Sequence, residues 1–421
     1  MPFSEAGTEC ELVCEKWVQN GLCLAHVEGS PVFVHGALPG ERVRARIVKS
    51  RSQHSFAIVT EVLESAPERV DSDCPVFPAC GGCSFRHIDY EGEVSLKVSL
   101  LEEHKYIAPH LRSAKLYPSP RNHYRNQVRL HGDENSRGFY ALHTNEVVPF
   151  PSTGCRNLAT ELNQKISEES GLLFRTHRLS FSDQGENSSI QEAKESEGSG
   201  ESGESGRTSK SRQGKDESAS RPALEFSASA SRYSWRFPQD GFSQANGFLI
   251  EPWLKALGEL ASHCDVSSVY EIFCGAGLIG GYLKLANGWK DSPYFGAELG
   301  KSSIHEAKQN FHSTGMKGSF LVADLYRGNV KTFLSERWKK PPKRSMLVAN
   351  PPRAGLKEKL CQWIDAAGFD HVLYSSCNPQ TLNRDLGMLE RGGFRVTAMH
   401  WFDFFPGTPH CEIVMLLKRQ G

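Results

Sequence analysis

The chain has 421 residues, 38% of them hydrophobic, which is too long for one ordinary core and reads as two or three folded domains. Its 49 basic and 49 acidic residues cancel, so bulk charge gives no argument for a nucleic-acid partner, and any such affinity must come from local patches. No apolar run approaches the ~18–20 residues of a membrane span, and Met1-Pro2-Phe3-Ser4-Glu5 lacks a basic-then-apolar leader pattern, so a cytoplasmic protein without membrane contact is expected.

From about Glu11 to Ser65, short apolar or β-branched runs (Pro31–His35, Val43–Val48, Ala57–Val62) alternate with Gly and Pro turns, the texture of a small β-barrel. The second of these runs and its following turn carry Arg44, Arg46, Lys49 and Arg51, which suit either a phosphate-contacting edge or an ordinary solvated strand face. A cysteine-bearing segment follows (Cys74, Cys80, Cys83, with Cys155 some way on), then a helix expected from about Tyr90 to Tyr106 and more strand-like sequence through Tyr124–Leu130 and Val147–Phe150. Twelve cysteines in a chain of this size, in a reducing compartment, point to metal ligation, catalysis and packing more than to disulfides. The spacing C-x5-C-x2-C around Gly81-Gly82, with a fourth thiol, suits a tetrahedral zinc or an iron–sulfur cluster and does not choose between them. The stretch from about Asp183 to Pro222 is Ser-, Gly-, Glu- and Lys-rich, has almost nothing apolar to offset ordering entropy, and is expected to be a disordered insertion.

Beyond about Ser231 the pattern changes to buried-strand candidates (Val269–Phe273, Tyr294–Glu298, Ser345–Asn350, His371–Ser376) separated by helix-length stretches, which predicts a doubly wound α/β sheet. The strand ending at Phe273 runs into Cys274-Gly275-Ala276-Gly277, where glycines let the backbone turn towards a ligand at a helix N-terminus, and the next strand ends in Glu298, placed to accept ribose hydroxyls. Loop and acid together favour a nucleoside-containing cofactor, and Phe273 and Gly275 are assigned to its site. Asp324, ending a third strand-like run, suits either an adenine contact or a helix cap.

Cys377 follows an apolar strand and precedes Asn378-Pro379, which should leave its thiol at the carboxyl edge of the sheet. Taken alone, such a cysteine is more often a packed core thiol. Glu412 opens the last buried strand, where an acid is either exposed or placed for proton transfer. Together they suit one reaction. Carbon 5 of uracil is a poor nucleophile towards a sulfonium methyl group until a thiolate adds at carbon 6, and the proton on carbon 5 must then go to a base before the thiol leaves.

With these residues the chain resembles the bacterial RNA 5-methyluridine methyltransferases, the 23S rRNA and tRNA uracil-5 enzymes, over nearly all its length outside the insertion. The resemblance implies Cys377 of Ser-Cys-Asn-Pro as nucleophile, Glu412 of His-Cys-Glu as base, and Gln244, Gly275 and Glu298 in the S-adenosylmethionine site. Gly36-Ala37-Leu38-Pro39-Gly40-Glu41-Arg42-Val43 is similar to a TRAM RNA-binding domain. Asn350 of Asn350-Pro351-Pro352-Arg353, also assigned to the cofactor site, stands where the family usually has Asp, and removes a charge there. The resemblance also implies a four-iron four-sulfur cluster on Cys74, Cys80, Cys83 and Cys155, with zinc as the alternative.

The resulting expectation is a Rossmann-like class I methyltransferase domain (233–421), an N-terminal OB-like TRAM barrel (1–65) and a small α+β central iron–sulfur domain (66–232) whose 90–112 helix packs on the catalytic domain. It acts as a monomer on RNA, 23S rRNA in preference to tRNA. A methylthiotransferase would need a C-x3-C-x2-C triplet that the chain lacks. A non-catalytic RNA-binding homologue would have no use for Cys377 and Glu412.

Overall fold

The computed structural model describes residues 5–132, 136–142, 144–168, 177–182, 189–194, 223–238, 244–327, 330–338 and 341–420. Strands β1 (Glu9–Val13), β2 (Lys16–Val18), β3 (Leu22–Val27), β4 (Ser30–His35), β5 (Arg42–Ser50) and β6 (Ser55–Glu64) form one sheet in the order β1-β5-β6-β4-β3-β2. Strict alternation builds its core. On β5, Val43, Ala45 and Ile47 point inwards to Leu12, Ala25, Val32 and Val34, while Arg42, Arg44 and Arg46 take the other face. The basic run is therefore the fifth strand. Half of its charge is matched internally: Arg42 donates to Glu11 and Glu64, each at 3.0 Å, and Arg44 donates to Glu61. Arg46, Lys49 and Arg51 stay exposed.

After the barrel, Arg69 donates to the buried Glu41 carboxylate at 2.6 Å and to the Gly36 carbonyl at 2.8 Å, which fastens the cysteine segment to the first sheet. Helix α1 (Tyr90–Glu102) is capped by Asp89, which accepts from the Gly92 N–H at 2.7 Å, and ends four residues short of the expected Tyr106. A 3-10 turn (Ala108–Ser113) leads into β7 (Lys115–Tyr117), which pairs in parallel with Phe394–Phe402 near the other end of the chain. Lys97 of α1 is buried between Glu93 (2.7 Å) and Asp403 (2.6 Å). Such an interior charge is tolerable only because it is paired on both sides.

A second sheet follows, in the order β10-β9-β8-β11-β12: β8 (Gln127–Gly132), β9 (Arg137–Tyr140), β10 (Val147–Pro149), β11 (His177–Ser182) and β12 (Ser189–Lys194), with α2 (Thr160–Glu168) lying between β10 and β11 in the chain. Most of the insertion expected to be disordered lies outside the described residues. Ser189–Lys194 is the exception and a correction, since it pairs antiparallel with His177–Ser182. The hairpin of β13 (Ala223–Ala228) and β14 (Ser231–Arg236) then lays Phe226 and Trp235 into the core that follows.

That core surrounds an eight-stranded sheet. Helix α3 (Gly247–Ser262) precedes β15 (Ser268–Ile272), α4 (Leu278–Ala286), β16 (Tyr294–Glu298), α5 (Lys301–Ser313), β17 (Ser319–Val322), α6 (Val330–Arg337), β18 (Ser345–Ala349), α7 (Lys357–Ala367), β19 (His371–Ser376), α8 (Pro379–Arg391), β20 (Phe394–Phe402) and β21 (Glu412–Arg419). The order is β17-β16-β15-β18-β19-β21-β20-β7, parallel from β17 to β19, with β21 inserted antiparallel between β19 and β20. Strands β15, β18 and β21 are buried almost throughout because helices cover both faces, which explains their continuous apolar runs. The order reverses at β15, the switch point where α/β folds bind ligands. Among the described residues no helix is long and apolar enough to cross a membrane.

Candidate active site

At the end of β15 the chain leaves the sheet through three positive φ angles, Phe273 (58°), Gly275 (51°) and Gly277 (76°). A glycine meets this at no cost, while Phe273 is held there with its ring 5.3 Å from that of Tyr326. Gly277 caps α4, and Gly281 lies so close to Trp235 that a Cβ there would sit 2.1 Å from the indole ring. Glu298 at the end of β16 folds back on this loop. Its Oε2 accepts from the Gly275 N–H at 3.2 Å, and its Oε1 accepts from Leu299 N–H (2.7 Å) and Gly300 N–H (2.9 Å). Loop and acid thus meet at the carboxyl edge, as a nucleoside site requires.

Asp324 is used locally. It accepts from the Tyr326 N–H at 3.0 Å and pairs with Arg327 at 3.3 Å, which closes a turn at 325–327 and caps no helix there. Gln244 is buried two residues before Asn246, which caps α3 and donates to Ser119 Oγ (2.8 Å) and the Phe404 carbonyl (3.0 Å). Asn350 is half-buried at the end of β18.

The thiol of Cys377 stands just beyond β19, where Asn378 caps α8 and Pro379 occupies its first turn. Asn378 also donates to the Arg353 carbonyl at 2.9 Å, and Thr381 donates to the same oxygen at 3.1 Å, which ties Ser-Cys-Asn-Pro to Asn-Pro-Pro-Arg. The antiparallel register sets Ser376 opposite Ile413, which brings Cys377 level with Glu412. Burial and then the Glu412 charge push the Cys377 thiol up to about 11, against the pull of the Arg353 guanidinium. Burial raises Glu412 to about 7, opposed by the hydroxyl of Ser375, which donates to its Oε1 at 2.5 Å. Thiol and acid thus meet at one edge of the sheet, and burial moves the acid towards neutral pH.

Several participants escaped the sequence reading. Glu271, within β15, is buried beneath the glycine loop, accepts from Tyr294 Oη (2.6 Å) and the Gly280 N–H (3.0 Å), and is raised by burial to about 8. Its signal was an acid inside an otherwise apolar strand. Arg353 was quoted only as part of a tetrapeptide. Ser375 and Trp253 carried no signal at all, because their proximity to Glu412 is created by folding alone.

The four cysteines line one cavity together with Phe139, Arg86 and Asn157. Gly81 permits the approach, since a Cβ there would lie 3.0 Å from the Tyr140 carbonyl. Gly82 N–H points at Cys80 Sγ (3.4 Å) and Asn157 Nδ2 donates to Cys83 Sγ (3.1 Å). Burial, together with neighbouring thiols, pushes Cys80 to about 12 and Cys155 to about 11. Among the described residues no three His, Cys, Asp or Glu side chains are grouped as ligands for a metal ion.

Residues 6–60 match the model of the TRAM domain, and residues 337–420 match that of the tRNA (Uracil-5-)-methyltransferase family. A Leptospira interrogans protein described as an uncharacterized RNA methyltransferase is 30% identical over 96% of this chain and 93% of its own length. The 23S rRNA (uracil(1939)-C(5))-methyltransferase RlmD of Acinetobacter baumannii is 26% identical over 94% of this chain and 90% of its own. In fold, the chain is similar to the Pyrococcus abyssi tRNA (uracil-54, C5)-methyltransferase solved with S-adenosyl-L-homocysteine, with a TM-score of 0.66 at 20% identity over 97% of this chain and all of that one. With its class I catalytic sheet and amino-terminal barrel, the chain belongs to the S-adenosylmethionine-dependent RNA (uracil-5-)-methyltransferases that carry a TRAM domain.

Proposed function

We propose that the protein methylates carbon 5 of a specific uridine in RNA, with 23S rRNA as substrate, through a covalent adduct of Cys377 at carbon 6 and proton abstraction by Glu412. The observation that carries this reading is the pairing of Cys377 with a buried acid raised to about 7 on the neighbouring strand. A core thiol has no need of such a neighbour. Arg353 supplies the positive charge that favours thiolate over thiol as the base is engaged. S-adenosylmethionine is assigned to the switch point, over Phe273 and Gly275, with Glu298 for its ribose and Gln244, Asp324 and Asn350 around it. Asn350 keeps a hydrogen-bonding amide there without the charge of an acid.

The preference for 23S rRNA rests on the Acinetobacter relative, which is alike over nearly its whole length. The barrel, with Arg46, Lys49 and Arg51 exposed, is assigned to holding RNA, and the division into barrel, cysteine-bearing middle and catalytic domain belongs to the same proposal. Cys74, Cys80, Cys83 and Cys155 are proposed to hold a four-iron four-sulfur cluster. What supports this is four thiols around one cavity, two of them already approached by N–H groups as ligating thiolates are, together with the family resemblance. Bound there, the cluster ties the 74–86 segment to residues 155–157, and methyl transfer needs no redox step.

Mapping 5-methyluridine in rRNA and tRNA from cells with and without the gene tests the reading. Loss of one methyl group from 23S rRNA is expected. Loss from tRNA alone transfers the substrate assignment, and no loss from either RNA overturns the activity.

A further inference from the structure

The proton relay behind Glu412 has a direction that chemistry fixes. Trp253 of α3 directs its indole N–H to Ser375 Oγ at 3.1 Å, and Ser375 Oγ lies 2.5 Å from Glu412 Oε1; all three side chains are buried. An indole N–H can only donate, so the serine oxygen is the acceptor in the first bond. With Glu412 ionised, as a general base must be, the one proton of the serine is then directed at Oε1. Were the indole replaced by an acceptor, the hydroxyl could turn away and take a proton from the acid instead.

We propose that Ser375, oriented by Trp253, is a positioning residue for Glu412 that holds Oε1 as a hydrogen-bond acceptor, keeps the side chain as carboxylate, and presents Oε2 to the proton on carbon 5 of the methylated adduct. This deepens the function proposed above and rests on it. In the step concerned the C5–H bond breaks and its proton passes to Oε2, its electron pair forms the C5–C6 double bond, and the C6–S bond breaks to return the thiolate of Cys377. No other reactant is required. The relay serves this last step through Oε2, and it reaches the thiol only through the charge it maintains on Glu412. The titratable groups coupled to the pair are Cys411, immediately before β21, and Arg353 from the loop after β18, with Lys97 and Asp403 acting on Cys411. The α3 side contributes the neutral indole.

The test uses the full-length protein and two RNAs. RNA carrying 5-fluorouridine reports attack by Cys377 and methyl transfer but not release, since fluorine cannot leave as a proton does. Uridine RNA reports the complete cycle. Ser375→Ala is expected to form the fluorouridine adduct as the wild type does, yet to turn over uridine RNA about tenfold more slowly at neutral pH. Its acidic limb, near 7 in the wild type, should move up by about one unit, because a carboxylate that loses a donated hydrogen bond binds its proton more tightly. Ser375→Thr should restore both values, and Trp253→Phe should shift the limb in the same direction by less. An unchanged limb in Ser375→Ala overturns the proposal, as does loss of its adduct, which would make Ser375 a general support of the site. Absence of adduct in the wild type would instead overturn the underlying methyltransferase reading.

Discussion

The molecule buries reactive sulfur in two places, and the neighbours differ. Around the 74–155 cavity burial, joined by repulsion from neighbouring thiols, raises Cys80 and Cys155, while the Arg86 guanidinium opposes the effect of burial on Cys83. At the edge of the catalytic sheet a single thiol faces one acid and one guanidinium, so repulsion and attraction act on it together. Burial raises Cys80, Cys155 and Cys377 by comparable amounts, to about 11 or 12. Burial therefore does not distinguish the two places; the identity of the nearest groups does. Each place has a guanidinium built into the chain, Arg86 beside Cys83 and Arg353 beside Cys377, and what differs is the remaining neighbour: other thiols in the first, the Glu412 carboxylate in the second.

The contrast can be broken most sharply at the nucleophile. Cys377→Ala should abolish the adduct on 5-fluorouridine RNA and lower turnover by at least about 10³-fold, as loss of a covalent nucleophile does; an adduct surviving on denaturing gels would remove Cys377 from the chemistry. Next in size is Arg353→Gln. Alkylation of Cys377 by iodoacetamide, followed by peptide mass spectrometry, should slow about tenfold at pH 8, with its pH midpoint raised as the favourable charge is lost. The same midpoint in both proteins would show that Arg353 does not act on the thiol. The smallest effect on chemistry is expected from Cys80→Ser. Iron content should fall and the melting temperature drop by about 5 °C, while the alkylation profile of Cys377 stays in place, and iron retained in full would withdraw Cys80 from the ligand set.

The sequence made the parallel sheet, the glycine loop and the Cys377–Glu412 pair legible because each rests on local grammar: an apolar run, a turn residue, a reactive group at the end. Arg44 shows where that grammar fails. A basic strand reads the same whether its partners are phosphates or the glutamates of β1 and β6, and only register sets Glu11 and Glu61 beside it. Asp324 was legible as a cap or a ligand but not as one of them, because both uses place an acid after a strand. The role of residues 115–117 was hidden for another reason. Three residues carry no strand signal of their own, and β7 exists because the open edge of β20 offers it hydrogen bonds.

That edge has a consequence for how the protein is made. Lys97 meets Asp403 across 306 positions of sequence, and Glu93 accepts from the Gly407 N–H across 314. On a ribosome these partners emerge far apart in time, so Glu93 and Lys97 of α1 must wait for the final fifth of the chain. β21 then enters between β19 and β20 and brings Glu412 with it. Such long-range pairing folds slowly. It also couples competence to completion: a chain released early lacks an internal strand of its catalytic sheet and, with that strand, Glu412.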